Sequence, residues 1–409
     1  MVPFLTDYGY SPSQSGFVMS AIFALAIVGQ PLLGSVSDRM STPRWIVACA
    51  MIVAGGLSLL LPGGVAVYGL VVVVALLYSL SAGSLPAVLD AWIMARRRRN
   101  PGLSYGVSRG FGSLGFAVGA YVFGLAGERM GVSIVFVIYA FLAAGVALLA
   151  VLMPRPPATE AVASEGSGGS RGDADGPGHG RGGQASAAPA PDRRAQKGSE
   201  PHLVQGLKAV VKNGPYLALL LATFITFVGF RAAMTFLPLL LEAVGGTVAD
   251  VGSSYSIAAI SEVPLLFLSG IIIRRIRGPR LIAAVLLLMA GRIFVYSLMR
   301  SPEAVLILQA THGVTFGIFL AAVVDYIDQI APPDHRSLFQ AIAPSIFFGL
   351  GSVVGSWVGG ITIEAVSLEF LYQASGVLAL AGGVVVIISG RLRRHRELVT
   401  RPQRDASAP

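Results

Sequence analysis

Apolar stretches near residues 13–34, 45–62, 66–94, 104–126, 132–153, 215–241, 250–273, 281–299, 304–331, 338–362 and 368–390 are each long enough to cross a bilayer. A span needs about 20 residues at 1.5 Å rise. Each stretch has to be helical, because a lone strand in lipid would leave its backbone donors and acceptors without partners. Apolar residues make up 54% of the chain and charged residues 12%, against about 25% charged in a soluble domain. The single cysteine, Cys49, lies inside an apolar run, so neither a disulfide framework nor a cysteine metal site can be built. A net charge of +9 raises the question of nucleic acid, but the placement of the basic residues assigns the charge to membrane topology instead.

With the spans as given, the connections alternate between two faces. One face receives the turn at 35–44, the run Arg96 to Arg99, the segment 154–214, the cluster Arg274, Arg275, Arg277 and Arg280, the turn with Arg336, and the tail from Arg391 to Arg404. The other face receives only Arg129 and Arg300. The positive-inside rule makes the first face, with the C-terminus, cytoplasmic in a cell membrane. An odd number of spans then leaves Met1 outside, although no basic, cleavable leader is present to put it there.

An internal echo addresses this. Gly9, Gly16, Gly34, Arg39, Pro43, Arg44 and Ile46 recur 236 positions later as Gly245, Gly252, Gly270, Arg275, Pro279, Arg280 and Ile282. A duplicated membrane half is the natural reading, since parallel repeats about the membrane normal build a central pathway in one large transporter class. The full helix at 215–241 precedes the second copy, and its counterpart falls largely before residue 1. The expectation is therefore twelve spans in two six-helix halves, eleven of them complete here, with Met1 to Leu5 as the last turn of a first helix. The units expected are 1–153, a linker at 154–214, a second half at 215–391 and a tail at 392–409. Residues 154–203 are rich in Gly, Ala, Pro, Ser and Arg and too poor in apolar side chains to offset the entropy of ordering, so the linker is expected to be largely disordered.

GFGSLG at 110–115 matches the dinucleotide pattern GxGxxG in letters only. It lacks the preceding strand and sits in an apolar span continuing through Gly119 and Gly124, so packing between helices is expected of these glycines, as of Gly349, Gly351, Gly355 and Gly359. Charges inside spans carry more information, since an ionisable group at the bilayer centre costs about 2.5–3.5 kcal/mol. Arg231, Glu262, Arg292 and His312 come from four successive helices of the second half at similar depth. Such a cluster suits a proton-linked or anion-accepting site, because a neighbouring cation can move the pKa of an acid; the alternative is a set of ion pairs that hold helices together. Asp90 and Arg109 form the corresponding pair of the first half, for substrate binding or inner gating. Asp325 echoes Asp90 at an offset of 235 and, with Asp328, sits near Arg336 at the end of its span, where a surface ion pair is the simpler reading.

The turn GSVSDRMSTPR at 34–44 resembles the signature of the major facilitator superfamily between its second and third helices. The likeness of the chain to that superfamily covers everything but the linker. Gly34, Asp38, Arg39 and Arg44, repeated as Gly270, Arg275 and Arg280, then form a gating turn whose charge-assisted contacts to a neighbouring helix end break when the halves rock; the second copy has Arg274 where Asp38 stands. YGVSRGFGSLGF at 105–116, AISEVPLLF at 259–267 and HGVTFGIF at 312–319 resemble the phenylpropionate permease group and, more distantly, lactose-permease-type proton symporters. That resemblance implies substrate contacts for Arg109 and Glu262 and proton coupling for Arg292 and His312. It departs at Thr315, where those symporters carry a glutamate; threonine does not exchange a proton near neutral pH, which leaves Glu262, His312 or Asp325. The expected protein is an all-α, monomeric secondary transporter in a lipid bilayer. It moves a small organic solute (an organic or aromatic acid, sugar or nucleoside) with protons, uses no cofactor or metal, and binds no nucleic acid. Proton-antiport efflux is the alternative, although residues 104–126 lack the proline expected of it. An enzyme is not expected, because neither Cys49 nor His312 has the partners of a catalytic site.

Overall fold

A computed structural model of the protein describes residues 1–38, 43–86, 88–89, 92–93, 105–153, 202–276 and 278–399. Every regular element among them is helical. In the first half these are α1 (Val2–Asp7), α2 (Pro12–Asp38), α3 (Arg44–Gly64), α4 (Tyr68–Tyr78), α5 (Tyr105–Met130) and α6 (Ile134–Leu152). The second half comprises α7 (His202–Lys212), α8 (Gly214–Thr235), α9 (Leu237–Ala243), α10 (Val248–Arg275), α11 (Gly278–Tyr296), α12 (Pro302–Gln309), α13 (Ile318–Ile330), α14 (Arg336–Pro344), α15 (Gly351–Ala365) and α16 (Leu368–Val399). Wider π turns interrupt three of the spans, at Ser79–Gly83, Gly313–Gly317 and Ser345–Leu350.

Among the described residues ten helices are long and apolar enough to cross a membrane. The stretch expected at 66–94 is the shorter apolar helix Tyr68–Gly83, followed by helical residues at 85–86, 88–89 and 92–93. Of the linker expected at 154–214, residues 154–201 lie outside the described residues, and its last part is the amphipathic helix α7. Two of the long helices, α8 and α10, start where side chains satisfy their first amides. Asn213 accepts from the Tyr216 amide at 3.0 Å, and Thr247 and Asp250 form a reciprocal capping box at the start of α10.

The repeat is visible in the backbone. Pro12 and Val248, which open α2 and α10, are 236 residues apart. Gly9 and Gly245, in the turns just before them, both have positive φ, 84° and 86°, a conformation glycine adopts without steric cost. The second half has the larger core, built around Phe227, Phe319, Phe339 and three fully buried tyrosines. Each tyrosine hydroxyl donates to a buried acceptor: Tyr216 to the Phe339 carbonyl at 2.6 Å, Tyr372 to the Ala233 carbonyl at 2.9 Å, and Tyr296 to Gln309 Oε1 at 3.0 Å.

The halves meet through α2 against α15 and α5 against α10. Glycines make the approach possible. A Cβ on Gly16 would lie 2.5 Å from the Ser356 carbonyl oxygen, and one on Gly124 2.7 Å from Gly252 Cα. Hydrogen bonds between the halves, among the described residues, occupy the ends of these helices away from the basic turns. Ser11 and Ser13 bond Glu364, Thr247 and Ala249 bond Glu128, Ser20 bonds the Val353 carbonyl, and Ser256 bonds the Ala117 carbonyl. Towards the basic turns, Gly34, Gly112, Gly115 and Gly119 meet no neighbour within 4 Å among the described residues. Of the run GFGSLG to Gly124, the expected packing is made at Gly124, whereas Gly112 lines the gap between the halves and Gly112, Gly115 and Gly119 meet no neighbour among the described residues. Gly349, Gly351, Gly355 and Gly359 do pack as expected, Gly349 against Ile27 of the other half.

Candidate functional site

The gap holds a cavity of about 550 Å³. The first half lines it with Leu89, Gly112, Ser113 and Phe116, and the second with Arg231, Tyr255, Glu262, Gln309, His312 and Phe316 among others. Three of the four expected second-half charges thus face one space. The fourth, Arg292, lies behind Gln309.

Glu262 and His312 touch, with His312 Nε2 3.1 Å from Glu262 Oε1 and side chains only 10% and 18% exposed for the histidine and the glutamate. Local sequence makes this contact possible. α10 passes so close to the π turn that Gly313 donates its amide to Ser261 Oγ at 2.9 Å. A Cβ on Gly313 would sit 2.5 Å from the Ser261 carbonyl carbon, and one on Gly317 3.7 Å from Glu262 Cα. The two glycines of GVTFG therefore let the helix carrying Glu262 lie against the helix carrying His312. His312 also stacks on Phe316, centroids 5.0 Å apart, and Phe316 on Phe230 at 5.6 Å. The result is an apolar aromatic wall ending in an acid–imidazole pair.

Arg292 is 4% exposed. Its Nη1 donates to Gln309 Oε1 at 3.4 Å, while among the described residues Nε and Nη2 have no hydrogen-bond partner, nor has His312 Nδ1. An unsatisfied buried guanidinium is costly, and Glu262 lies within its electrostatic reach. Arg231 is held differently. Its Nε donates to Ser352 Oγ at 2.6 Å, and its guanidinium carbon lies 4.6 Å from the ring centre of Phe23, which belongs to the first half.

The remaining candidates are placed elsewhere. Thr315 donates to the His312 carbonyl of its own helix at 3.1 Å. Asp325 accepts from Gln329 at 2.6 Å on an exposed face, and Asp328 pairs with Arg336 at 3.2 Å as an exposed salt bridge. Asp90 and Arg39 lie outside the described residues; Asp38 and Arg109 fall within helices, and their side chains are outside the description. Arg44 is buried and donates to the Met153 carbonyl at 3.4 Å, holding the end of α6 within its own half. Gly34 and Gly270 meet nothing from the other half, and Arg275 and Arg280 are exposed. Gln309, Tyr296, Ser352 and Phe23 were not anticipated. Gln309 left a signal, a lone amide in an apolar run three residues before His312 and so on the same helix face.

Two pseudo-symmetric helical halves around a central cavity whose apolar wall carries a few charged groups define a multi-pass membrane transporter of small solutes, not an enzyme. More specifically, the chain belongs to the MFS_1 like family, whose profile matches residues 1–374. A maltose permease of Geobacillus stearothermophilus is 24% identical over 381 residues, spanning 93% of this chain and 86% of that protein. In fold, the chain resembles a variant of the nucleoside transporter NupG, with a TM-score of 0.73 at 16% identity over 93% of this chain and 91% of the other. It also resembles a bacterial homologue of the human lysosomal transporter Spinster in an inward-facing, unoccupied conformation, with a TM-score of 0.64 at 17% identity over 98% and 93% of the two chains.

Proposed function

We propose that the protein imports a small ring-bearing, hydroxyl-rich solute, a sugar or a nucleoside, across the cell membrane by proton symport. The observation that carries the coupling is the contact of Glu262 with His312 on the cavity wall. The pair can exchange a proton with water in the cavity, and Arg292, with two unpartnered nitrogens, is the counter-charge that Glu262 turns to when the histidine contact breaks. Substrate class follows from the lining. A flat face made by Phe230 and Phe316 suits the apolar side of a ring, while Arg231, Gln309 and Glu262 offer both donors and acceptors at its edge. Maltose permease among the relatives and a nucleoside transporter among the structures of like fold support this choice over a plain organic acid. The basic turns face the cytoplasm by the positive-inside rule, which places the C-terminus inside and makes the present arrangement open inward, with Arg109 and Asp90 as first-half contacts and the turns at Gly34–Arg44 and Gly270–Arg280 as the inner gate. The protein acts as a monomer.

Proteoliposomes with an imposed pH gradient test the reading. Uptake of a sugar or nucleoside identified by ligand-dependent thermal stabilisation should rise with an acidic exterior. Uptake of that solute indifferent to the gradient would remove the proton coupling and leave the transporter class standing.

A further inference from the structure

The face opposite the basic turns is closed by a pair of contacts that the repeat relates to one another. Glu128 Oε2 accepts from Thr247 Oγ1 at 2.9 Å and from the Ala249 amide at 3.1 Å. Glu364 Oε2 accepts from Ser11 Oγ at 2.9 Å and from the Ser13 amide at 3.3 Å. Adding 236 turns Glu128, Ser11 and Ser13 into Glu364, Thr247 and Ala249, so one arrangement occurs twice, with the halves exchanging roles. In each, a carboxylate near the C-terminal end of one helix, α5 or α15, reaches across to the first turn of a helix of the other half, α10 or α2.

Electrostatics gives these contacts a direction. A carboxylate beside the C-terminus of its own helix faces the negative end of that helix dipole, whereas the N-terminus of the opposite helix offers free amides and the positive end. The closed face moves both carboxylates from an unfavourable environment to a favourable one. Each receiving helix already has its own reciprocal cap, Thr247 with Asp250 on α10 and Ser11 with Gln14 on α2, so the receiving turns are preorganised without the glutamates. The glutamates therefore contribute to joining the halves and little to helix formation. The glycine crossings Gly16 with Gly360 and Gly124 with Gly252 lie one turn or so deeper on the same helices and allow the reach.

We propose that Glu128 and Glu364 are paired latches of the transport cycle, whose simultaneous release opens the face away from the basic turns. Each contact is exposed, and each is expected to weight the closed state by roughly two- to fivefold. Independent sites multiply, giving about four- to twenty-five-fold for both.

The test is a distance distribution between spin labels at Val67→Cys and Val366→Cys, exposed positions on the latched face of the two halves, in the full chain with Cys49→Ser. Glu128→Gln and Glu364→Gln should each enlarge the long-distance population, and the double variant should do so multiplicatively. Asp250→Asn is the control: it weakens the cap within α10 but is not a bond between halves, and should leave the distribution alone. An unchanged distribution in the double variant, a response to only one of the two glutamates, or an equal response to Asp250→Asn would overturn the proposal.

Discussion

Substituting Gly313 by alanine isolates the geometry on which the coupling reading depends. The added Cβ would lie 2.5 Å from the Ser261 carbonyl carbon and 2.9 Å from the Glu262 amide nitrogen. Carbon atoms in contact sit about 3.5–4.0 Å apart, so the backbone of α10 and the π turn must separate by about 1 Å. These neighbours are backbone atoms, which cannot rotate away. Overpacking of this kind costs about 1–3 kcal/mol, which a large helical bundle survives, but the His312–Glu262 contact starts at 3.1 Å and would stretch to about 4 Å, past hydrogen-bonding range. Misplacement by 1 Å can cost an active site about a hundredfold, and a fall of at least about tenfold in pH-gradient-driven uptake is expected. Gly291→Ala is the matched control, because Gly291 is exposed in a helix interior with nothing within 4 Å of the new Cβ, and should be neutral or stabilising by up to about 1 kcal/mol. If Gly313→Ala protein took up substrate with the wild-type pH dependence, the placement of Glu262 by the glycine crossing would not be what coupling requires.

Glu262→Gln retains shape and one acceptor but no exchangeable proton. Gradient-driven accumulation should fall at least about tenfold while substrate exchange at equal pH persists; parallel loss of both would assign Glu262 to binding instead. Arg231→Lys loses the fork that serves both Ser352 and the face of Phe23, and is expected to raise the apparent KM about tenfold, with Phe23→Leu giving a smaller rise of roughly two- to fivefold; a variant with unchanged KM would place the substrate elsewhere. Tyr216→Phe removes the hydroxyl that donates to the buried Phe339 carbonyl and should lower thermal stability by about 1 kcal/mol without altering KM, which a melting curve beside an uptake assay would check.

Much of the architecture could be read from the residues because lipid imposes few choices: an apolar run of spanning length has to be a helix. The internal echo had already set Gly9 against Gly245 and Gly16 against Gly252. Convergence of Arg231, Glu262 and His312 was also legible, since buried charge is expensive and cannot face lipid. Their partners were harder to see. The Ser352 contact of Arg231 crosses 121 positions, and the Phe23 contact crosses between halves, so no local pattern announces either. Small residues license a close approach without stating whether a partner is there: along one glycine run Gly124 meets Gly252, while Gly112 borders the cavity. Glu128 and Glu364 were overlooked although they stand 236 apart. Charges at span ends read as ordinary loop residues until the helix that receives them is known.

The π turn at Gly313–Gly317 has a consequence for chain length. A wider turn accommodates one extra residue, so the side chains before it and after it follow different phases of the helix, offset by about 100° at 3.6 residues per turn. Gln309 and His312 keep one phase, Asp325 and Asp328 the other, and a single wheel drawn through 302–330 would put one group on the wrong side. Deleting one residue here would give a continuous α-helix and leave His312 and Ile318–Ile330 in their present relation, whereas tightening the turn to α geometry with all residues kept would swing one against the other by that angle. In this span the width of one turn, as much as residue identity, decides which side chains the cavity receives.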